Sequence, residues 1–210
     1  MNKQLTLSGL AILGAIALHD SPAAAQDRSS QEIQIYGGEI FGDRMTETSI
    51  SRSTPRLDAS ATFGGRYTYN FTDVWGVQLS GGYSPSRAAH VASGDSDLGL
   101  TTVDVDAVWN FTTPDFRVAG YKFVGYTVAG VGYAWANLDR AIRGSVGGTP
   151  VNITDSNGYT ANVGLGAKYY LTDNLFVDFD ARYRYLSKLV SNYGQGMNTA
   201  ETTLGVGWRF

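Results

Sequence analysis

The chain has 210 residues, a formal net charge of −3, 26 Gly, 13 Tyr, 9 Phe, 4 Trp and no Cys. A charge this mild, with no basic cluster, argues against a nucleic-acid partner. Without Cys there is no disulfide, and a thiolate metal or redox site is excluded.

Residues 1–25 read as a secretory signal. Lys3 supplies the positive start, the apolar run 5–18 is broken only by Thr6 and Ser8, and Pro22-Ala-Ala-Ala25 offers small residues for cleavage. The run is too short to span a membrane as a helix, which takes roughly 20 apolar residues. Cleavage after Ala25 leaves residues 26–210 as one domain, and no Cys follows to accept a lipid. No later segment is apolar and long enough for a membrane helix. A barrel strand needs only about 9–11 residues and hides its signal in alternation.

Alternation is what the rest of the chain shows. A first strand over 32–42 sets Ile33 and Ile35 against Glu32, Gln34 and Tyr36, with a bulge expected at Gly37-Gly38. After a polar loop, 43–58, a second strand over 59–71 alternates Ala61, Phe63, Tyr67, Tyr69 and Phe71 with Thr62, Arg66, Thr68 and Asn70. The short turn at Thr72 leads into a third strand, 75–83, with Trp75, Val77, Leu79 and Tyr83 against Gln78 and Ser80. A second loop, 84–100, precedes the fourth strand, 101–111, where Val103, Val105, Trp109 and Phe111 oppose Asp104, Asp106 and Asn110. The fifth strand, about 116–137, is the least regular: Tyr121, Phe123, Val131, Tyr133 and Trp135 share one face, yet Val124, Tyr126 and Val128 share the other. The longest loop, 138–158, is rich in Gly and Thr.

Residues 159–185 give the clearest pattern, two alternating runs joined by Leu171-Thr-Asp-Asn-Leu175. Val163, Leu165, Tyr169, Val177, Phe179, Tyr183 and Tyr185 lie on one face, and Lys168, Asp178, Asp180, Arg182 and Arg184 on the other. A fourth loop, 186–198, leads to the last strand, 199–210, with Leu204, Val206, Trp208 and Phe210 opposite Thr203, Gly205, Gly207 and Arg209.

Eight strands whose connections alternate long and short describe an all-β, antiparallel up-and-down barrel with one end trimmed, the pattern of a transmembrane barrel. Aromatic residues mark both ends of the apolar faces: Tyr69, Trp75, Trp109, Tyr169, Trp208 and Phe210 at the short turns, Tyr133, Trp135 and Tyr183 at the long loops. Two such belts suit a bilayer with two interfaces. The apolar faces are therefore expected to meet lipid. Arg66, Asp104, Asp106, Lys168, Asp178, Asp180, Arg182, Arg184, Glu201 and Arg209 are expected to form a charge network in the lumen, which side chains fill in a barrel this small. The glycines of the inward face, Gly164, Gly166, Gly205 and Gly207, leave room for long side chains.

The chain resembles the small eight-stranded outer-membrane barrels of Gram-negative bacteria, the OmpA/opacity-type family. The resemblance is carried by Ala129-Gly-Val-Gly-Tyr-Ala134, by Gly164-Leu-Gly-Ala-Lys-Tyr-Tyr-Leu-Thr-Asp-Asn-Leu175, by Asp180-Ala-Arg-Tyr-Arg-Tyr185 and by the terminal Phe210. It implies the bacterial outer membrane as location, membrane lipid and lipopolysaccharide as surroundings, and recognition of the last strand by the barrel-assembly machinery. It brings no catalytic residues. Some members add a peptidoglycan-binding domain after the barrel, which this chain, ending at Phe210, is expected to lack.

Other motifs are weak. His90, near Asp95 and Asp97, has no partner at a spacing that would orient it for catalysis, so no enzymatic activity is expected. Asp95-Ser-Asp97 lacks the full oxygen set of a Ca²⁺ site. Asn70-Phe-Thr72, Asn110-Phe-Thr112 and Asn152-Ile-Thr154 match the glycosylation sequon by chance. The Gly-x-Gly repeats precede no helix, so no nucleotide site is read and no cofactor is expected. The expected function is envelope structure, adhesion or surface interaction, with an extracellular ligand held by the four loops. The alternative is a small-solute porin.

Overall fold

The computed structural model describes residues 29–42, 56–89, 96–112, 116–139, 142–146, 149–153, 156–187 and 196–210. The signal segment 1–25, His90 and Asp95 lie outside them. Eight long strands carry the fold: β1 (Ser30–Phe41), β2 (Ser60–Asn70), β3 (Trp75–Ala89), β4 (Ser96–Asn110), β5 (Tyr121–Leu138), β6 (Ser156–Tyr170), β7 (Leu175–Leu186) and β8 (Met197–Arg209). Each pairs antiparallel with the next, and β8 returns to β1 through pairs such as Ile35 with Val206. The sheet thus closes into an eight-stranded barrel that leaves no long edge unpaired. The seam is locked where Phe210 N–H donates to Gln31 O at 2.9 Å and Gln31 N–H to Phe210 O at 3.3 Å. The described residues contain no helix.

Two of the short connections are the same turn. In Phe71-Thr-Asp-Val74 the Thr72 hydroxyl oxygen accepts from the Val74 and Trp75 amides at 3.2 and 2.8 Å. In Leu171-Thr-Asp-Asn174, Thr172 accepts from Asn174 and Leu175 at 3.3 and 2.9 Å. A side-chain oxygen that caps its own following amides closes a tight reversal without a left-handed residue.

Several sequence expectations need correction. No bulge interrupts Gly37-Gly38: the pairing of β1 runs unbroken past it on both sides, from Glu32–Arg209 to Phe41–Ala200 and from Ser30–Asn70 to Ile40–Ser60. Gly38 instead permits close approach, since a Cβ there would overlap the Thr202 carbonyl. The second loop is shorter than 84–100, because β3 continues to Ala89 and β4 begins at Ser96. Residues 84–89 pass for loop because Ser84, Pro85 and Ser86 are turn-forming residues that interrupt the apolar/polar alternation.

Pro85 is accommodated because the β2–β3 ladder stops at the Phe63–Tyr83 pair. Pairing resumes at Leu57–Ala88, so five residues, 58–62, oppose four, 84–87. Among the described residues a bulge therefore lies here. The short Arg56–Leu57 strand also trims the first loop.

The fifth strand does not begin at Phe116. Arg117–Val118 forms a small hairpin with Tyr121 and Lys122, turning at Ala119 and Gly120 with φ of 53° and 86°. The longest loop carries its own hairpin, Ile142–Val146 with Thr149–Ile153. The fourth is bounded by Leu186 and Met197.

Candidate functional site: the charged interior of the barrel

Strand parity positions the interior. On β6 and β7 the pairs Val163–Tyr183, Leu165–Ala181 and Ala167–Phe179 face outward. The alternate pairs Asn162–Arg184, Gly164–Arg182, Gly166–Asp180 and Lys168–Asp178 face inward. Outside, Ile35, Val105, Val131, Leu165, Phe179 and Leu204 are exposed, as lipid-facing positions are. Inside, Glu32, Asp104, Asp106, Asp178, Asp180 and Glu201 are buried with Arg66, Lys168, Arg182 and Arg184. Buried charges persist only when paired and hydrogen-bonded, because leaving water costs each several kcal/mol.

The pairs cross the lumen. Arg66 on β2 reaches Asp178 and Asp180 on β7 at 3.2 and 3.1 Å. Arg182 on β7 meets Asp106 on β4 at 2.8 Å and Asp180 at 2.7 Å. Arg184 bridges Asp104 and Glu201, both at 2.8 Å. Lys168 pairs with Glu32. Among the described residues these pairs join every member of the expected network except Arg209, and they add Glu32. Arg209 stands at the short-turn mouth, with its guanidinium 6.0 Å from the Tyr170 ring centroid.

Among the described residues, six buried carboxylates outnumber four buried cations. Neutral donors make up the difference. Gln34 donates to Asp178 at 2.7 Å, Tyr170 to Glu32 at 2.8 Å, Thr160 to Asp104 at 2.6 Å and Asn162 to Asp106 at 2.8 Å. Every one of the eight strands supplies at least one side chain; Gln78 of β3 accepts from Arg182 at 2.6 Å. The inward glycines make space for this filling: a Cβ at Gly166 would overlap the Tyr126 ring, one at Gly205 the Gln34 amide, and one at Gly207 the Phe176 ring.

Sequence reasoning set Tyr126 and Val128 on the face opposite Val131 and Trp135 but missed the rest of the apolar interior. Tyr126 and Val128 of β5 cluster with Val108 of β4, all inward and 0–1% exposed. Closer to the long connections, the inward positions Ile40, Leu57, Leu98, Leu100, Leu186 and Met197 are buried too. At the opposite mouth, Tyr170 and Phe176 face each other at 5.3 Å. Parity alone could have found these residues: on β5, even positions such as Tyr126, Val128, Ala134 and Ala136 are buried, while Val131 and Trp135 are exposed.

The aromatic residues of both ends lie on the outer face. Trp75 stacks on Trp109 at 6.3 Å, Tyr121 approaches Tyr169 at 5.2 Å, and Tyr133 contacts Trp135 and Tyr159 at 5.0 and 5.5 Å. Tyr69, Tyr183, Trp208 and Phe210 are likewise exposed. Asn70 and Asn110, the first residues of two sequons, point inward, with Asn110 Nδ2 donating to Asn70 Oδ1 at 3.4 Å. Of the two carboxylates of the possible cation motif, only Asp97 lies in the described residues, where its carbonyl accepts from the Asp139 amide at 3.1 Å. Two cavities lie among the described residues. One of about 30 Å³, roughly the volume of a single water, is lined by Glu32, Asn110, Lys122, Lys168 and Tyr170 at the short-turn mouth. The other, about 510 Å³, adjoins the bulge beside Asp58, Ser60, Tyr83 and Ser86.

Residues 8–210 match the family described as outer membrane protein beta-barrel domain. The chain is 26% identical over 205 residues to outer membrane porin F of Pseudomonas aeruginosa, covering 96% of this chain and 51% of that protein. It therefore spans about half the length of that relative. Its fold is similar to the crystal structure of Neisserial surface protein A, with a TM-score of 0.51, 18% identity, and 87% and 96% of the two chains covered. It is equally similar to outer membrane protein AlkL in lipid bilayers, with a TM-score of 0.51, 16% identity, and 92% and 96% covered.

Proposed function

The chain belongs to the outer membrane protein β-barrel domain family, and on that premise we propose that it is a closed-lumen scaffold whose work is done by the long connections at its outer end. The single observation that carries this reading is the cross-lumen pairing of Arg66, Arg182 and Arg184 with carboxylates of other strands. Charges that a conducting pore would present to passing ions are tied to one another. The buried Ile40, Leu57, Leu98, Leu100, Leu186 and Met197 support the same reading, because an apolar layer resists the passage of hydrated solutes.

In this role the signal segment 1–25 is removed near Ala25, the last strand is read by the barrel-assembly machinery, and the outer face meets lipid and lipopolysaccharide. Recognition of an extracellular ligand falls to the connections after β1, β3, β5 and β7, and no step of catalysis is assigned to His90. The reading is tested in a deletion strain complemented either by the whole chain or by a form shortened within 43–55 and 188–195. Surface adhesion is expected to return with the whole chain only, and small-solute permeability to be the same in all strains.

A second reading, a small-solute conduit, draws on the likeness to a protein named porin F. It requires the shortened form to restore a permeability that the deletion strain has lost.

A further inference from the structure

The hydrogen bonds around Tyr126 hold more acceptors than one hydroxyl can serve. Tyr126 Oη lies 2.9 Å from Asp178 Oδ1, 3.1 Å from Asp178 Oδ2 and 2.9 Å from Asp180 Oδ2. A phenol has one proton to donate. If both carboxylates were ionised, one of the two 2.9 Å contacts would set lone pair against lone pair. In a site where all three side chains are 0% exposed, no water can relieve that repulsion.

We infer that one proton is held between Asp178 and Asp180 in the folded barrel, carried on Asp178 Oδ1 and donated to Tyr126 Oη, which in turn donates to Asp180 Oδ2. The other contacts choose the side. Asp180 faces two guanidinium groups, Arg66 at 3.1 Å and Arg182 Nε at 2.7 Å. Asp178 faces one, Arg66 at 3.2 Å, together with the neutral Gln34 amide at 2.7 Å, and both of these fall on Oδ2. Its Oδ1 meets only Tyr126 among the hydrogen bonds of the described residues. The acid with less positive support, and with an oxygen committed to the hydroxyl, is the one that keeps the proton.

The groups facing the pair come from every side. They are Gln34 on β1, Arg66 on β2, Tyr126 on β5, Lys168 beside Asp178 on β6, Arg182 on β7 and Thr203 on β8, the last bonded to Arg66 at 3.0 Å. Asp106 on β4 and Gln78 on β3 touch the site through Arg182. No cation larger than a proton fits on the line between oxygens 2.9 Å apart. The extra proton also narrows the excess of buried carboxylates over buried cations. This inference is independent of whether the lumen conducts.

The test is infrared spectroscopy of the full chain folded in lipid bilayers at neutral pH, with aspartate carboxyls ¹³C-labelled. A protonated aspartic acid gives a carbonyl stretch separate from the carboxylate bands, and this band is expected in the native protein. It should vanish in Asp178→Asn, persist in Asp58→Asn and shift in Tyr126→Phe, where the acid loses its acceptor. No acid band in the native protein, or a band that survives Asp178→Asn, overturns the assignment. Asp178→Asn should also fold as the native chain does, because its amide nitrogen donates to Tyr126 while its oxygen keeps Gln34 and Arg66. Failure of that variant to fold would contradict the proposal as well.

Discussion

Arg182 on β7 meets Asp106 on β4 at 2.8 Å, with β5 and β6 lying between those strands in the barrel wall. The pair spans the lumen rather than a neighbouring ladder, and it converts the inward faces of distant strands into one connected unit. Removing Arg182 leaves Asp106 and the Gln78 carbonyl oxygen short of a donor in a dry interior. Arg182→Ala is therefore expected to lower stability by about 3–5 kcal/mol, read as a shift in urea unfolding in lipid vesicles. A loss below about 1 kcal/mol would mean that water reaches the pair.

The glycines separate by face. Gly166 faces inward under the Tyr126 ring, so Gly166→Val is expected to cost about 1–3 kcal/mol through overpacking. Gly37 faces outward, with only the Thr62 carbonyl at 3.9 Å from an added Cβ. Gly37→Ala should be neutral or stabilising by about 0.5–1 kcal/mol, since it removes backbone freedom from the unfolded chain. The same unfolding assay ranks the two, and equal effects would undo the assignment of faces.

The outer face makes a depth-dependent prediction. Leu165 and Phe179 lie midway along their strands and are exposed to the surroundings, whereas Tyr159 lies near the long-connection end. Arg in place of Leu165 or Phe179 is expected to cost about 2–4 kcal/mol, against about 0–1 kcal/mol for Tyr159→Arg. Equal tolerance at all three sites would place the barrel in water.

In the closed-lumen reading, the apolar layer near the long connections is a packed core rather than a lining. Leu100, 1% exposed, pairs across to Ala136 on β5 and Ser84 on β3. Leu100→Ala should cost about 2–5 kcal/mol by leaving a cavity. It should open no conductance while Arg184 still bridges Asp104 and Glu201.

The barrel was legible in the sequence because period-two alternation with three short reversals and four long connections has few other solutions. The charged residues of the interior were legible too, since Asp104, Asp106, Asp178, Asp180, Arg182 and Arg184 break an apolar rhythm at every second position. Their partners were not. Arg66 reaching Asp178, or Lys168 reaching Glu32, joins residues more than a hundred positions apart, and nothing in local pattern encodes such a choice. Leu98 and Leu100 escaped for a different reason: they follow a Ser-Gly-Asp-Ser-Asp run that reads as loop, so no strand parity was assigned to them. Ser84, Pro85 and Ser86 carry a loop signature because turn-forming residues outweigh a strand that is held by β4 on one side alone.

Planar-bilayer recording on the purified, folded chain tests the central claim most directly. A lumen closed by Arg66, Arg182 and Arg184 with their carboxylates predicts current that stays at baseline across moderate voltages. Stable, ion-selective conductance steps from the native protein would contradict it.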